Sequence, residues 1–95
     1  MIFEWDEDKN RSNKVKHGVD FETATYVFGD PLCASRIERV VNYEERWQTI
    51  GIVENALLLL VAHTYRDGLD TIIIRIISAR RAGSRERKCY EKGTF

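Results

Sequence analysis

The feature that most constrains the fold is the run from Thr71 to Ile77, which consists of five isoleucines, a threonine and Arg75. β-Branched residues favour strands, so the run predicts a strand buried on at least one face. An arginine is costly to bury unpaired, so Arg75 either pairs with a carboxylate or faces a wet site. Arg80 and Arg81 follow where this strand ends. A strand that ends in arginines presents fixed positive charge to an anion, or simply carries solvated turn residues.

The central part of the chain predicts further strands joined by short loops. Asp67-Gly68 is the strongest hairpin signal in the sequence, and Glu54-Asn55 fits a tight loop. Loops this short leave no room for parallel crossovers, so we expect an antiparallel meander of three to five strands. An edge strand at 2–5 precedes it. The predicted strands of the meander are 32–41, 46–53, 56–66 and 71–79.

Capping signals at the start of the chain predict two helices. Asp6 is an N-cap and Gly18 a stop for a polar helix over 7–17. Asp20 begins a second helix whose apolar stripe includes Phe21 and Phe28, and residues 29–31 end it. Ser84 is predicted to cap a short C-terminal helix that reaches about Lys92. The sequence therefore predicts one α+β domain, 1–95, with two N-terminal helices, the meander and a short last helix.

Charge is distributed unevenly along a chain of zero net charge. Residues 71–95 hold seven Lys and Arg against two Asp and Glu, and all the remaining residues are net acidic. Such a basic segment suits phosphate, although an acidic protein partner would also suit it. Cys33 and Cys89 lack ligand spacing, residues 1–20 carry charges throughout, and the longest apolar run, 56–62, is too short for a bilayer. We therefore expect a cytoplasmic protein that binds neither a membrane nor zinc.

The residue inventory fits one reaction best. The sequence has no phosphate loop, no dinucleotide fingerprint and no cluster of acidic residues for magnesium. Arg, Lys, His, Tyr and Glu can support RNA transesterification, which needs a base, an acid and cations for the phosphoryl oxygens, without metal or cofactor. The candidate catalytic residues, expected to gather at one end of the sheet, are Arg46, His63, Tyr65, Arg75 and Arg80. The candidate RNA-binding residues are Lys9, Lys16, His17, Arg66 and Arg81.

Each candidate also has a structural interpretation. His63 shares a strand face with Leu57, Leu59 and Val61, so it is either a hydrogen-bonded core histidine or a catalytic group. Tyr65 is either a packing residue or an acid. The cations of the first helix are either a solvated face that suits its C-terminus or phosphate contacts. His17 is additionally a candidate acid or base. The face assignments depend on register, because a slip of one residue reverses them.

Several segments follow one another in the order of a known family pattern. They are Phe3-Glu4-Trp5-Asp6 with Lys9 and Asn13, Lys16-His17-Gly18-Val19, Phe21-Glu22-x-Ala24, Glu45-Arg46-Trp47, Ile50-Gly51, residues 75–82, Arg85-Glu86-Arg87 and Tyr90-Glu91. Together these segments resemble the BrnT family of bacterial toxins. The resemblance implies a fold like that of the RelE-type ribonuclease toxins and a metal-independent endoribonuclease that inhibits translation. It also implies a BrnA-type antitoxin that neutralises the toxin in a hetero-oligomer and alone contacts operator DNA.

The sequence departs from the BrnT pattern at two places. Asn42-Tyr43 stands where many relatives have a histidine before Glu-Arg-Trp, which argues against an essential histidine in that loop. His63 stands where an aromatic or aliphatic residue is expected, and is either a local substitution or a catalyst particular to this protein. The alternative function is a degenerate, non-catalytic module that still binds an antitoxin or RNA.

Overall fold

The computed structural model describes all 95 residues, except that the side chain of Asn55 is left undescribed. Short 3-10 turns lie at Tyr26–Gly29 and Glu54–Ala56. Within the described residues, no helix is long and apolar enough to cross a membrane. The elements in chain order are β1 (Ile2–Glu4), α1 (Glu7–His17), α2 (Phe21–Thr25), β2 (Ala34–Val41), β3 (Glu44–Val53), β4 (Leu57–Gly68), β5 (Thr71–Arg81) and α3 (Ser84–Lys92).

The five strands form one mixed sheet in the order β1-β5-β4-β3-β2. Strands β2 to β5 make the antiparallel meander that the short loops predicted. Strand β1 lies at the edge of the sheet, as predicted, and it pairs with β5 in parallel, from Ile2 opposite Ile73 to Glu4 opposite Arg75, a direction that the sequence did not indicate. Only a long connection can return the chain in parallel, and the segment between β1 and β5 contains two helices and three strands.

Helix α1 has the boundaries that its capping residues predicted. The Asp6 carboxylate accepts hydrogen bonds from the backbone N–H groups of Asp8 and Lys9, and Gly18 ends the helix at φ +74°. On the sheet side, the amide of buried Asn13 donates to the Ala79 carbonyl at 2.8 Å and accepts from the Ala79 N–H at 3.2 Å. Asn13 thus pairs with β5 as a neighbouring strand would, and fixes α1 beside it.

The second N-terminal helix is shorter than predicted. Helix α2 has only five residues, and the chain tightens into the 3-10 turn from Tyr26. This turn packs directly on β3: a Cβ at Gly51 would lie 2.8 Å from the Val27 carbonyl oxygen. Phe21 and Ala24 are buried, as the apolar stripe predicted, whereas Phe28 is only partly buried and Val27 takes a core position instead.

Three local boundaries differ from the prediction. The hairpin turn is Leu69-Asp70, with Asp70 at φ +61°, because Gly68 still pairs with Thr71 in the ladder. The turn before β3 is Asn42-Tyr43 alone, so β3 begins at Glu44. Gly83, not Ser84, caps α3, and its N–H donates to the Glu86 carboxylate at 2.7 Å.

The sheet has two unlike faces. The helix face is covered by α1, α2 and the Tyr26–Gly29 turn, and its core includes Phe21, Leu59, Val61, Ile74 and Ile76. On the opposite face, Ile50, Leu58 and Leu60 are covered by α3 and the C-terminal residue through Tyr90 and Phe95. We call this second face the open face, because α3 covers only one end of it.

Candidate nucleic-acid interface

The open face carries a cavity of about 290 Å³ beside the Arg80 end of β5. Its floor is apolar, from Leu60, Ala62 and Ile77. Its walls are polar, half of their side chains are arginines, and they come from β2, β3 and β5: Glu38, Arg39, Arg46, Gln48, Ser78 and Arg80.

Two of these arginines face each other. Arg39 and Arg46 are register partners on neighbouring strands, and like charges in that position repel. The Arg46 side chain is only 28% exposed, and its Nε is buried without a hydrogen-bond partner among the described residues. Glu44 lies 3.8 Å from that Nε, which is too far for a hydrogen bond. Glu44 therefore gives Arg46 only a long ion pair, and the three arginines of the cavity would stabilise an anion placed between them.

Arg80 is held in place by α3. Its two terminal nitrogens donate to the two carboxylate oxygens of Glu86 at 2.8 and 2.7 Å. This bidentate pair raises the pKa of Arg80 and lowers the pKa of Glu86. A fixed guanidinium costs less entropy to use than a mobile one, so Arg80 is a pre-positioned cation at the cavity wall.

Glu38 is the one carboxylate that lines this cavity in the described part of the chain. It is the extra residue of a β-bulge, because Ile37 pairs with Trp47 and Arg39 with Arg46. Bulges redirect side chains and are common beside active sites. The cavity thus combines three cations with a single carboxylate that can accept a proton.

His63 lies on the helix face, away from these arginines. It is fully buried, its Nε2 lies 2.6 Å from Thr49 Oγ1, and Phe28 packs edge-on against its ring. Burial lowers the pKa of His63 to about 4, so the ring is uncharged at neutral pH. Its Nδ1 has no hydrogen-bond partner in the described residues.

Tyr65 is also on the helix face, where it stacks edge-on with Trp47 and His63. Tyr65 and Trp47 line a second cavity of about 660 Å³ at the hairpin end of the sheet. The expected gathering of Arg46 with His63 or Tyr65 was therefore wrong. His63 pairs with Trp47 in the register, and the next residue along a strand, Arg46, points to the opposite face.

The remaining candidate arginines lie outside the open-face cavity. The Glu4 carboxylate makes a two-oxygen pair with Arg66 and lies 3.7 Å from Arg75, which confirms that Arg75 pairs with a carboxylate. Arg66 lowers the pKa of Glu4. Arg81 is exposed and is the register partner of Leu59. Among the predicted catalytic residues, the cavity brings together Arg46 and Arg80.

The three α1 candidates do come together. Lys9, Lys16 and His17 line a small cavity of about 210 Å³, and the same cavity is lined by Ser12, Asn13, Ile77 and Ser78. Ile77 and Ser78 also line the open-face cavity.

Sequence reasoning missed Glu38, Arg39, Gln48 and Ser78. A two-residue turn at Asn42-Tyr43, with both residues at positive φ, places Arg39 opposite Arg46. Asn in such a turn is a usable signal, although Tyr is rare there. No sequence signal marks the bulge that redirects Glu38.

Fold and cavity together define a small α+β protein with an arginine-lined cavity on one sheet face. A family model described as "Ribonuclease toxin, BrnT, of type II toxin-antitoxin system" matches residues 5–86. The chain belongs to the BrnT family of ribonuclease toxins, whose type implies an RNA target and an antitoxin partner.

One solved structure carries a similar fold. The Brucella abortus ribonuclease toxin BrnT is 21% identical, with a TM-score of 0.59 over 88% of this chain and 100% of that one. No curated protein matches the chain. Within the described residues, no group of three or more His, Cys, Asp or Glu side chains is arranged to hold a metal ion.

Proposed function

We propose that this chain is a metal-independent endoribonuclease whose open-face cavity holds the scissile phosphate. The observation that carries the proposal is the facing pair Arg39 and Arg46, with the buried, unpartnered Nε of Arg46. Arrangements that cost stability, such as two facing like charges, are typical of functional sites. Guanidinium groups match phosphate oxygens in geometry and charge.

In the proposed reaction, the 2′-hydroxyl of the RNA attacks the adjacent phosphorus. Glu38 accepts the 2′ proton, the new 2′-O–P bond forms, and the P–O5′ bond breaks. The leaving 5′ oxygen takes a proton from water. Arg39, Arg46 and Arg80 stabilise the negative charge that develops on the phosphoryl oxygens. The products carry a 2′,3′-cyclic phosphate and a 5′-hydroxyl.

The other candidates receive different roles in this proposal. His63 and Tyr65 support the sheet from the helix face, since His63 is uncharged and buried. Arg66 and Arg75 are held by Glu4 outside the cavity, and exposed Arg81 contributes to the positive field.

The biological proposal follows from the family. RNA cleavage in the cytoplasm would inhibit translation, and a BrnA-type antitoxin would neutralise the toxin in a hetero-oligomer. The toxin would reach operator DNA only through that antitoxin. The helices before an antiparallel meander and the short helix after it support a RelE-like classification.

Expression of the chain alone in a bacterium, followed by cleavage assays on purified protein, tests the proposal. Growth should stop, and RNA should be cut in EDTA to products that end in a 2′,3′-cyclic phosphate. An RNA with a single 2′-deoxynucleotide at the cleavage site should stay intact. Folded protein that binds RNA and leaves it uncut, without arresting growth, would favour the non-catalytic alternative.

Glu38→Gln tests the assigned base. Cleavage should fall about 100-fold while RNA affinity is kept, because the amide cannot accept the proton. The matched control is Glu22→Gln, at an exposed position of α2. It removes the same charge at a site away from the cavity. Unchanged cleavage by Glu38→Gln would remove Glu38 from the mechanism.

A further inference from the structure

We infer that the RNA strand continues from the open-face cavity over the free edge of β5 to α1, where Lys9, Lys16 and His17 bind a flanking phosphate. This second subsite rests on the proposed function, because it extends the same RNA beyond the scissile phosphate.

The two cavities lie close together at β5 and share two lining residues, Ile77 and Ser78. In the described part of the chain, β1 accompanies β5 only as far as Arg75, so beyond that point no strand lies on the β1 side of β5, while β4 continues to pair with it on the other side. The barrier between the cavities is therefore one strand wide, about 5 Å. At Ser78 it consists of a small side chain whose hydroxyl can donate to a phosphate oxygen.

Helix α1 is fixed at this edge. Asn13, only 6% exposed, bonds to both backbone groups of Ala79 and also donates to the Val19 carbonyl at 2.8 Å. Ala79 follows Ser78 directly, so α1 is anchored one residue from the shared wall. Lys9, Lys16 and His17 lie on the same side of the helix as Asn13, because each is three or four residues away from Asn13 along the chain.

The cations of the α1 cavity have no carboxylate beside them in its lining, and neither Lys9 nor Lys16 has an ion-pair partner in the described residues. On the other side of α1, Arg11 pairs with Asp8, and Lys14 shares a cavity with Asp20. Lysine–phosphate contacts position a strand without reading its bases. The subsite should therefore increase affinity with RNA length and independently of sequence.

The test compares two double variants of the full chain on two 2′-O-methyl RNAs, which cannot be cleaved. One RNA is a dinucleotide, which fills only the open-face cavity, and the other has about ten nucleotides. Lys9→Ala/Lys16→Ala should lose about tenfold in affinity for the longer RNA and nothing for the dinucleotide. For this double variant and the longer RNA, the slope of log affinity against log salt concentration should become shallower by about 1.4, because two phosphate contacts are lost.

Arg11→Ala/Lys14→Ala is the matched control. It removes two exposed cations from the same helix but from the other side, and should bind both RNAs as the wild type does. Thermal unfolding of each variant checks that α1 is intact.

An equal loss on both RNA lengths, or an equal loss in the control, would overturn the subsite. Unchanged binding of both RNAs by Lys9→Ala/Lys16→Ala would also overturn the subsite. Wild-type protein that binds neither RNA would instead refute the proposed function itself, and the inference with it.

Discussion

The polar side chains on the two faces of the sheet differ in their charge and in their hydrogen bonding. On the helix face, Ser35, Thr49 and His63 form a hydrogen-bonded row, with Ser35 Oγ 2.7 Å from Thr49 Oγ1, and all are neutral. On the open face, Arg39 and Arg46 face each other, and Arg46 Nε has no hydrogen-bond partner among the described residues and only a 3.8 Å ion pair with Glu44. Strand β3 contributes to both arrangements, with Thr49 on the helix face and Arg46 on the open face. The covered helix face therefore uses its polar groups for stability, and the partly uncovered open face leaves its polar groups available for binding.

Arg46→Ala should produce the largest change on the open face. Loss of one preorganised cation at a developing oxyanion typically costs about 10²- to 10³-fold, so we expect cleavage to fall about 100-fold. Stability should hold, since Arg46 Nε has no partner to leave unpaired. Single-turnover cleavage and urea unfolding on the same preparation measure both quantities. An Arg46→Ala variant that cleaves RNA at the wild-type rate would contradict the assignment of binding to the open face.

His63→Ala should produce the opposite pattern on the helix face. The change leaves a cavity under Phe28 and removes the partner of Thr49, and we expect a loss of about 3 kcal/mol in the free energy of unfolding. Cleavage per folded molecule should stay within about threefold of wild type. Cleavage that fell as far as in Arg46→Ala, at unchanged stability, would instead make His63 a catalytic residue.

His63 also predicts how stability depends on pH. Its pKa falls from 6.5 to about 4 on folding, so below pH 6.5 the unfolded chain binds a proton that the folded chain excludes. Stability should therefore decline as pH falls from 6.5 to about 4, by up to about 3 kcal/mol. His63→Phe should lose this contribution. Identical pH profiles for wild type and His63→Phe would show that the folded ring titrates normally.

Gly51→Ala tests how closely the 3-10 turn packs on the helix face. The new Cβ would lie 2.8 Å from the backbone oxygen of Val27, which cannot move alone, and we expect a loss of about 2 kcal/mol. Gly29→Ala is the control, since a methyl group added there would meet no atom within 4 Å beyond its chain neighbours, and its φ is ordinary. Thermal unfolding distinguishes the two, and equal midpoints would contradict the close packing.

Arg75→Ala should have the smallest effect. Arg75 lies beyond the cavity with Glu4, which also pairs with Arg66, so cleavage should change less than about threefold. A loss comparable to that of Arg46→Ala would extend the binding face to the β1 edge. The readout is single-turnover cleavage, with circular dichroism to confirm folding.

Local signals in the sequence were sufficient for the parts of the fold that depend on neighbouring residues. Asp6 and Gly18 defined α1 because caps act within one turn. Asp67-Gly68 misled, because both residues still pair in the β4–β5 ladder and the turn is formed by Leu69 and Asp70. The parallel pairing of β1 depends on contacts about 70 residues apart in sequence, which no local pattern encodes.

Only part of the candidate site could be predicted from the sequence, as was true of the fold. Arg46 and Arg80 were identified as isolated cations at strand ends, and the cavity contains both. Glu38 and Arg39 were not identified, because their positions depend on a bulge and on the exact register of β2. His63 was placed correctly beside Leu59 and Val61, but its grouping with Arg46 required the wrong face.

The most direct measurement is an NMR titration of the full chain with the 2′-O-methyl dinucleotide. If the open face binds the scissile phosphate, resonances of the Arg39, Arg46 and Arg80 guanidinium groups and of the Ser78 and Gln48 amides should shift together, while His63 and Trp47 stay unchanged. Shifts confined to Trp47, Tyr65 and His63, with the three arginines unaffected, would place the RNA on the helix face and contradict the proposed function.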